Sequence, residues 1–289
     1  MLATKHKILI ARTLSRIIVG LHATLGRSPM ITTRRGGIRW RLDLREGIDL
    51  AIYLLGGFEV RTLRQYARLV KHGDVVLDIG ANIGAHSLPL ARLVGPHGRV
   101  ISFEPTAYAH GKQVANIALN PDLAPRINAR QMLLVGTRQA SLPDAICASW
   151  PMERASDLDH QHGGRRMPTD GAACATLDDL LEAEGIRRVD LVKLDVDGNE
   201  LDVLLGASKM LRTLRPPLML ELAPFVHHDD PSRFDGLISL LDAAGYRLQE
   251  VATARPLPLE VAALRSRIPE GGGINVLALP AMAADRTVA

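Results

Sequence analysis

Residues 75–84 read Val75-Val76-Leu77-Asp78-Ile79-Gly80-Ala81-Asn82-Ile83-Gly84, and this stretch decides the fold. A β-branched, apolar run passes here through a glycine turn into a helical pattern. Gly80 can turn tightly and lets a ligand approach the backbone, while Gly84 admits close packing where the helix begins. The stretch therefore predicts a buried parallel strand with a ligand site at its carboxyl end.

The next strand supplies a second part of that ligand site. Arg99 to Phe103 is followed by Glu104, whose carboxylate can accept hydrogen bonds from both hydroxyls of a ribose. The glycine pattern is D-x-G-x-x-x-G, whereas a nicotinamide fingerprint reads G-x-G-x-x-G. This difference favours S-adenosylmethionine over a dinucleotide, because a cofactor without a pyrophosphate needs no phosphate cradle. For either motif alone, the alternative is an ordinary strand-turn-helix with a surface acid.

Short β-branched runs alternate with helical patterns from residue 74 onward, as in a parallel sheet covered by helices on both faces. Strands are predicted at 75–79, 99–104, 129–135, 189–195, 217–222, 246–252 and 274–279. Helices are predicted at 60–71, 84–94, 107–119, 176–184, 199–213 and 232–244. Seven such strands predict an α/β protein with the Rossmann-like class I methyltransferase fold. Its sheet is mostly parallel, with an antiparallel seventh strand.

Two regions lie outside this alternation. Between residues 136 and 175 the periodicity disappears, and long connections of this kind often form lids or binding loops. The first part of the chain precedes the alternating pattern. We therefore expect a helical and extended cap over residues 1–59 and an S-adenosylmethionine-binding methyltransferase domain over residues 60–289.

The cap begins with a predicted amphipathic helix over residues 7–25. Its apolar residues at helical spacing are Ile10, Leu14, Ile17, Ile18, Leu21 and Leu25. We expect them to pack on the protein's own core or on a second subunit of a homo-oligomer. Peripheral contact with a membrane surface is the alternative, because Lys7, Arg12 and Arg16 lie off the apolar stripe.

Composition excludes several classes of protein. The formal charge is +4, from 35 Lys and Arg against 31 Asp and Glu without long basic blocks, which argues against a nucleic-acid partner. Two cysteines cannot form a disulfide framework or a four-cysteine zinc site, and they suit a reducing cytoplasm. We expect no cleaved signal and no transmembrane helix, because no apolar run is long enough.

Five pieces of the sequence occur in an order that identifies a family. Besides the glycine turn at 78–84, they are Tyr53 to Glu59, Phe103 to Pro105, Thr176 to Leu181 and Lys193 to Glu200. Over about residues 38 to 280 the chain thereby resembles the FkbM-type methyltransferases, S-adenosylmethionine-dependent O-methyltransferases that act on sugars and polyketide-like natural products. Two departures exist. Asp197 stands where the family usually has Glu, and Leu134 to Thr137 replaces an A-L-[SG]-D-like turn, which leaves the adenine-side contacts open.

The resemblance also implies roles for individual residues. It implies cofactor contacts from the first two strands and their turns, at Asp78, Gly80, Asn82, Gly84 and Glu104. Glu59 is expected to help close the pocket. Asn116, on the helix after Glu104, is a further candidate for the cofactor site.

Methyl transfer to a hydroxyl requires a positioned acceptor oxygen and help with loss of its proton. Asp195 ends the fourth strand and Glu221 lies in the fifth, so both are predicted at the carboxyl edge of the sheet. Lys193 shares the face of Asp195 and either pairs with a neighbouring acid or orients the acceptor. A divalent metal with unassigned ligands could also assist.

The sequence thus predicts an S-adenosylmethionine-dependent methyltransferase that methylates a hydroxyl of a small molecule or glycan. The identity of this acceptor is not encoded in a readable motif. An NAD-linked oxidoreductase is one alternative, and the missing third glycine argues against it. A non-catalytic binding protein that keeps the cofactor fold is another, and the presence of Asp78, Glu104 and Asp195 argues against it.

Overall fold

The computed structural model describes residues 4–153, 158–159 and 163–281. Their α-helices are α1 Thr4–Thr24, α2 Gly47–Leu55, α3 Val60–Leu69, α4 Ser87–Val94, α5 Ala107–Ala118, α6 Leu177–Ala183, α7 Glu200–Leu205, α8 Ser208–Thr213, α9 Ser232–Ala243 and α10 Val261–Arg267. Their strands are β1 Met30–Arg35, β2 Ile38–Asp43, β3 Val75–Ile79, β4 Arg99–Phe103, β5 Ile127–Arg130, β6 Met132–Leu134, β7 Ala145–Ser149, β8 Arg165–Pro168, β9 Ala173–Ala175, β10 Leu191–Leu194, β11 Leu218–Leu222, β12 Tyr246–Glu250, β13 Pro256–Leu257 and β14 Ile274–Pro280.

The main sheet has the strand order β13-β12-β14-β11-β10-β3-β4-β5. Its five strands from β11 to β5 are parallel, and β14 lies antiparallel between β11 and β12. The predicted α/β fold with a mostly parallel sheet and an antiparallel seventh strand is confirmed. The two-residue strand β13 adds an eighth strand at the edge, which the sequence did not predict.

Helices cover both faces of this sheet because alternate residues of each buried strand point to opposite sides. Leu77 and Ile79 of β3 face a core built with α6 to α10, whereas Val76 faces a core built with α2, α3, α4 and β2. Trp40 of β2 and Tyr66 of α3 are fully buried in the second core. The segment from β2 to α2 therefore packs directly on the sheet.

Local chemistry sets several helix boundaries. Thr106 precedes α5 and its hydroxyl accepts the Ala109 N–H at 3.3 Å, while Thr176 does the same before α6 for Asp179 at 3.2 Å. Such caps satisfy N–H groups that have no partner within the helix. The predicted helix 199–213 is instead two helices, α7 and α8. Gly206 follows α7, and a Cβ there would lie 2.1 Å from the Val135 carbonyl oxygen, so only glycine fits at this position between the two helices.

Two strand predictions also need correction. The predicted strand 129–135 divides at Gln131, whose amide donates to the carbonyls of Pro105 and Asp170. β5 stays in the main sheet, while β6 leaves it and pairs with β9. The segment 136–175, predicted to be irregular, contains the antiparallel hairpin β7–β8 as well as β9.

The helix α1 confirms the predicted N-terminal helix but not the burial of its stripe in this chain. Five of the six stripe residues are exposed, with fractions of 49% for Ile10, 54% for Ile17 and 66% for Leu25. Ser15, on another side of the helix, is buried and donates to the Leu44 carbonyl at 2.8 Å. The stripe therefore does not pack on the chain's own core. Among the described residues, no helix is long and apolar enough to cross a membrane.

Candidate functional site

A cavity of about 680 Å³ opens where β3, β4, β10 and β11 end. The carboxyl ends of parallel strands form the usual ligand edge of a doubly wound sheet. The residues that follow these strands form one wall of the cavity. The hairpin β7–β8, the strand β6 and the segment around residues 47–59 form the others.

One part of the cavity wall, which we call the turn half, consists of residues 80–82 and Glu104. The N–H groups of Gly80 and Ala81 both donate to the Phe103 carbonyl at 3.0 Å. Gly80 has a φ of 76°, and a Cβ there would lie 1.8 Å from the Asp195 carbonyl oxygen. Only glycine fits this position, and its presence lets the turn after β3 lie against the end of β10.

Glu104 fixes the turn half through backbone hydrogen bonds. One carboxylate oxygen accepts the Asn82 N–H at 3.0 Å, and the other accepts the N–H and hydroxyl of Thr106 at 3.0 and 2.6 Å. Burial raises the pKa of Glu104, and these hydrogen bonds oppose that shift. A carboxylate offers about four acceptor positions, so one of them remains for a ligand in the cavity that Glu104 lines.

Asn82 connects this turn to the hairpin. It adopts a left-handed backbone conformation with a φ of 47°, and its side-chain amide donates to the Ala148 carbonyl of β7 at 3.1 Å. Its amide oxygen accepts the N–H of Ile83 at 2.9 Å. The two walls of the cavity are therefore held together by one residue predicted from the sequence.

Three predicted cofactor residues, Asp78, Gly84 and Asn116, lie behind the cavity wall and do not line it. The fully buried Asp78 accepts the Ser87 hydroxyl at 2.5 Å. Asn116 accepts the N–H of Arg41 and donates to the Ile83 carbonyl. The structure thus places these residues where they support the turn half from within the protein.

Lys193 joins the two sides of the site. Its ammonium group donates to the carbonyls of Gly80 at 2.7 Å and Ile79 at 3.3 Å. It also lies 3.6 Å from an Asp78 oxygen and 3.7 Å from an Asp195 oxygen. Burial opposes its charge, but the surrounding carboxylates, of which Asp195 and Asp78 contribute most, together outweigh burial and raise the pKa of Lys193. The sequence left two roles open for Lys193, pairing with an acid and orienting the acceptor. Its position is compatible with both, since it pairs with acids and also lines the cavity.

The opposite part of the wall, which we call the carboxylate half, consists of Glu59, Asp195, Asp197 and Glu221. Burial, followed by the charge of Asp195, raises the pKa of Glu59 and raises that of Glu221 and Asp197 well above the usual carboxyl range. Asn275 donates to Glu59 at 2.6 Å. The predicted pair Asp195 and Glu221 is thus brought together with Glu59 around one space.

The backbone after β10 is shaped by a residue that does not line the cavity. Glu200, at the start of α7, accepts the N–H groups of Val196 and Gly198, both at 3.1 Å. Asp197 has a φ of 49° and Gly198 a φ of 100° within the loop so held. Glu200, the last residue of the Lys193 to Glu200 motif, therefore stabilises the loop, whereas Asp195 and Asp197 of the same motif face the cavity.

His86 also reaches the cavity, although the helix that follows it packs in the core. Its ring contacts the Tyr66 hydroxyl at 3.2 Å, and its other nitrogen lies 3.7 Å from Glu59. Burial holds the pKa of His86 well below its usual value. The ring is therefore neutral at ordinary pH, and it adds no positive charge to the carboxylate half.

Several lining residues were not predicted. They come from the hairpin and the cap, namely Phe58, Trp150, Met152, Arg166 and Asp159. Glu46 anchors this wall by accepting the Ser149 hydroxyl and the Trp150 N–H. Loss of periodicity indicated a binding loop in this segment, but no motif there marks individual residues.

The charged residues of the cavity wall are mostly acidic. Six are carboxylates and two are cations, namely Glu59, Glu104, Asp159, Asp195, Asp197 and Glu221 with Arg166 and Lys193. Within the part of the chain that the structure describes, no group of three or more His, Cys, Asp or Glu residues is arranged to hold a metal ion. The divalent metal considered from the sequence is therefore not supported.

Comparison with known families gives one match that includes most of this site. The sequence model of the methyltransferase FkbM domain matches residues 78–248, from the end of β3 to β12. This segment contains the glycine turn, Glu104, Lys193, Asp195 and Glu221. It does not contain the N-terminal residues, such as Glu59, that line the same cavity.

Individual proteins show more distant similarity. The chain is 26% identical over 192 residues to the hexuronic acid methyltransferase AglP of Haloferax volcanii, which covers 65% of this chain and 72% of that protein. It is 28% identical over 206 residues to the AMB antimetabolite synthetase AmbE of Pseudomonas aeruginosa, but this covers 60% of the chain and only 10% of the synthetase. A solved structure of an FkbM methyltransferase from Methylobacillus flagellatus has 16% identity and a TM-score of 0.46, covering 77% of this chain and 48% of that one.

Proposed function

Because the chain belongs to the FkbM methyltransferase family, we propose that it transfers a methyl group from S-adenosylmethionine to a hydroxyl of a small molecule or glycan. The observation that carries this proposal is the single cavity lined by both Glu104 and Asp195. The first can bind a ribose, and the second can accept a proton. An oxidoreductase is not favoured, since the matching family consists of methyltransferases.

The turn half fits S-adenosylmethionine. Glu104 keeps one acceptor position for ribose hydroxyls, and Gly80 brings backbone rather than a side chain to the cavity surface. The acidic wall attracts a cationic ligand. When bound, S-adenosylmethionine supplies an electrophilic methyl group on a positively charged sulfur.

Asp195 is the residue that we assign to the acceptor hydroxyl. Its carboxylate is partly exposed to the cavity and lies 3.7 Å from the Lys193 ammonium group, which holds it at the end of β10. As the hydroxyl oxygen forms its bond to the methyl carbon, Asp195 takes the proton that the oxygen loses. The products are a methyl ether, S-adenosylhomocysteine and a proton held on the carboxylate.

Glu59 and Glu221 serve a different purpose in this proposal. The raised pKa of each group favours its protonated form, in which a carboxyl group can donate a hydrogen bond as well as accept one. Donor and acceptor groups side by side suit an acceptor that carries several hydroxyls. These two residues would orient the molecule while Asp195 accepts the proton.

The relatives support a sugar or secondary-metabolite acceptor. One is named for a hexuronic acid, and another for the synthesis of an antimetabolite. The acidic wall disfavours an acceptor that carries many negative charges. We place the activity in the cytoplasm, a location that suits two free cysteines, Cys147 and Cys174.

Two measurements test this proposal. S-adenosylmethionine and S-adenosylhomocysteine should each raise the melting temperature, and NAD should not, because a ligand that binds only the native state stabilises it. Incubation with S-adenosylmethionine labelled in its methyl group and fractionated host glycans and metabolites should then give an alkali-stable labelled ether. Stabilisation by NAD alone, or label found only on amines, would contradict the assigned reaction.

A further inference from the structure

The exposed face of α1 is an apolar surface that no part of the described chain covers. We call it the α1 stripe, consisting of Ile10, Leu14, Ile17, Leu21 and Leu25, whose exposed fractions run from 38% to 66%. At about 100° per residue the five side chains fall within ~80° of the helix circumference. A contiguous apolar band of this kind marks an interaction surface.

The same end of the sequence is strongly basic. The first 42 residues contain nine Lys and Arg and no Asp or Glu, which leaves 26 Lys and Arg against 31 Asp and Glu in the other residues. The overall charge of +4 therefore conceals a basic N-terminal segment attached to an acidic remainder. Arg16 on α1 and Arg27 just after it are both exposed.

The apolar stripe and the basic segment together indicate which partner binds this surface. We propose that the α1 stripe docks this protein on an anionic lipid bilayer, with the apolar side chains in the interface and the basic side chains on lipid head groups. A second copy fits less well, because a symmetric contact through α1 would bring two basic segments together. The docking is peripheral, since no helix among the described residues can span a bilayer.

The position of α1 connects this surface with the cavity. Ala11 lies one residue after Ile10, on the side of the helix that faces the protein, and it lines the cavity. Ser15 holds the same side of α1 to the cap through its bond to Leu44. Docking through the stripe therefore places the cavity next to the lipid head groups.

The test is co-sedimentation of the whole chain with sucrose-loaded vesicles. We expect the protein to pellet with phosphatidylcholine vesicles that contain about a third phosphatidylglycerol, and much less with pure phosphatidylcholine. About 0.5 M salt should weaken the binding, because it screens the attraction between exposed charges. Equal recovery with both vesicle types, or no recovery with either, would overturn the proposal.

Matched variants separate the stripe from the rest of the surface. Ile17→Asp should lower the partition coefficient ~tenfold or more, since it removes one buried apolar side chain from the interface. Val114→Asp changes a side chain of similar exposure on α5, 46% against 54%, and should bind as the unchanged protein does. Arg16→Gln should lower binding roughly fivefold, whereas Arg212→Gln on the exposed side of α8 should not.

Light scattering during size exclusion distinguishes the other occupant. A monomer that binds anionic vesicles through Ile17 supports the membrane proposal. A dimer that Ile17→Asp converts to a monomer would instead assign the stripe to a second copy. Because none of these measurements uses methyl transfer, they stand independently of the assigned reaction.

Discussion

The turn half and the carboxylate half of the cavity satisfy their polar groups in different ways. Glu104 in the turn half accepts three hydrogen bonds from Asn82 and Thr106, all at 3.0 Å or less. In the carboxylate half, burial and then the charge of Asp195 raise the pKa of both Glu59 and Glu221, so burial and a like charge both oppose ionisation there. Internal hydrogen bonds nearly fill the acceptor positions of Glu104. The carboxylate half also has internal contacts, from Asn275 and Lys193, but it keeps several carboxyl groups close together at a cost in electrostatic energy.

This difference separates a group that builds the site from groups that line it beside the acceptor. A carboxylate whose acceptor positions are nearly filled by two backbone N–H groups and a hydroxyl is fixed in place and suits recognition of a bound cofactor. Carboxyl groups with raised pKa values, such as Glu59 and Glu221, cluster at functional sites, and they suit the side of the cavity where the acceptor must lose a proton. Lys193 contacts both halves, so a substitution at this residue should disturb both of them at once.

The largest effect is expected for Lys193→Met. Removal of the ammonium group leaves the fully buried Asp78 without its cation, and breaking a buried ion pair in this way costs about 3–5 kcal/mol of unfolding free energy. Urea denaturation measures this loss. Burial raises the pKa of Asp78, and Lys193 opposes that shift, so the loss should become smaller as the pH falls and Asp78 takes up a proton.

A double variant provides the control for that prediction. Lys193→Met with Asp78→Asn removes both charges and should recover part of the lost stability. A single variant within about 1 kcal/mol of the unchanged protein would show that Lys193 does not hold the two halves together.

Asp195→Asn tests the carboxylate half alone. The amide keeps the size of the side chain but cannot accept the acceptor's proton, so we expect turnover to fall ~100-fold or more. Affinity for S-adenosylhomocysteine, measured by calorimetry, should remain near that of the unchanged protein. Asp229→Asn, in the exposed loop after β11, is the matched control and should retain turnover. Methylation at the original rate in Asp195→Asn would remove its assigned role, whereas a variant that fails to fold would assign Asp195 to pairing with Lys193.

Glu104→Gln tests the turn half, where we expect a loss of cofactor affinity rather than a loss of proton transfer. The amide has one accepting oxygen where the carboxylate has two, so it keeps only part of the bonding to Asn82 and Thr106. The ribose also loses a charged acceptor, which is worth about 1.5–3 kcal/mol. We therefore expect affinity for S-adenosylhomocysteine to fall ~10- to 100-fold. Glu182→Gln, at an exposed acid on α6, should leave the affinity unchanged. Equal affinity in both variants would place the ribose elsewhere in the cavity.

The two halves also differ in how much of each could be predicted from the sequence. The glycine turn and Glu104 were predicted because each is tied to a strand end, where local geometry leaves little choice. Asp195 and Glu221 were predicted by the same reasoning, since parallel strands end at one edge. The resemblance implied a place for Glu59 at the pocket, but its proximity to Glu221 could not be predicted from strand positions. That proximity depends on the pairing of β14 with β11 and on Asn275, which donates to a side chain 216 positions earlier.

Two other features depended on tertiary structure. Asp78 and Gly84 belong to the same motif as the lining residues Gly80 and Asn82, and Asn116 lies on the helix after Glu104, yet the fold turns all three inward, and spacing along the chain cannot distinguish these directions. The hairpin β7–β8 has short strands and irregular composition, so its lining residues gave no periodic signal. The stripe of α1 was identified from its period, but the period does not state which partner covers it.

The smallest expected effect is the pH dependence of stability at Glu221. Burial and the charge of Asp195 raise the pKa of Glu221 well above 4.5 in the folded chain, so the folded state binds this proton more tightly than the unfolded state. Its contribution to the unfolding free energy is therefore fully present below about pH 4.5 and is lost as the pH rises through the folded-state pKa. Glu221→Gln has no proton to lose at this position. At pH 8 its melting temperature should exceed that of the unchanged protein, by on the order of 2 °C, while at pH 4 the two should agree.

Glu260→Gln, at an exposed acid before α10, should show no such divergence. If the two melting curves instead stay parallel between pH 4 and pH 8, Glu221 is not opposed by Asp195. The carboxylate half then carries no more electrostatic strain than the turn half.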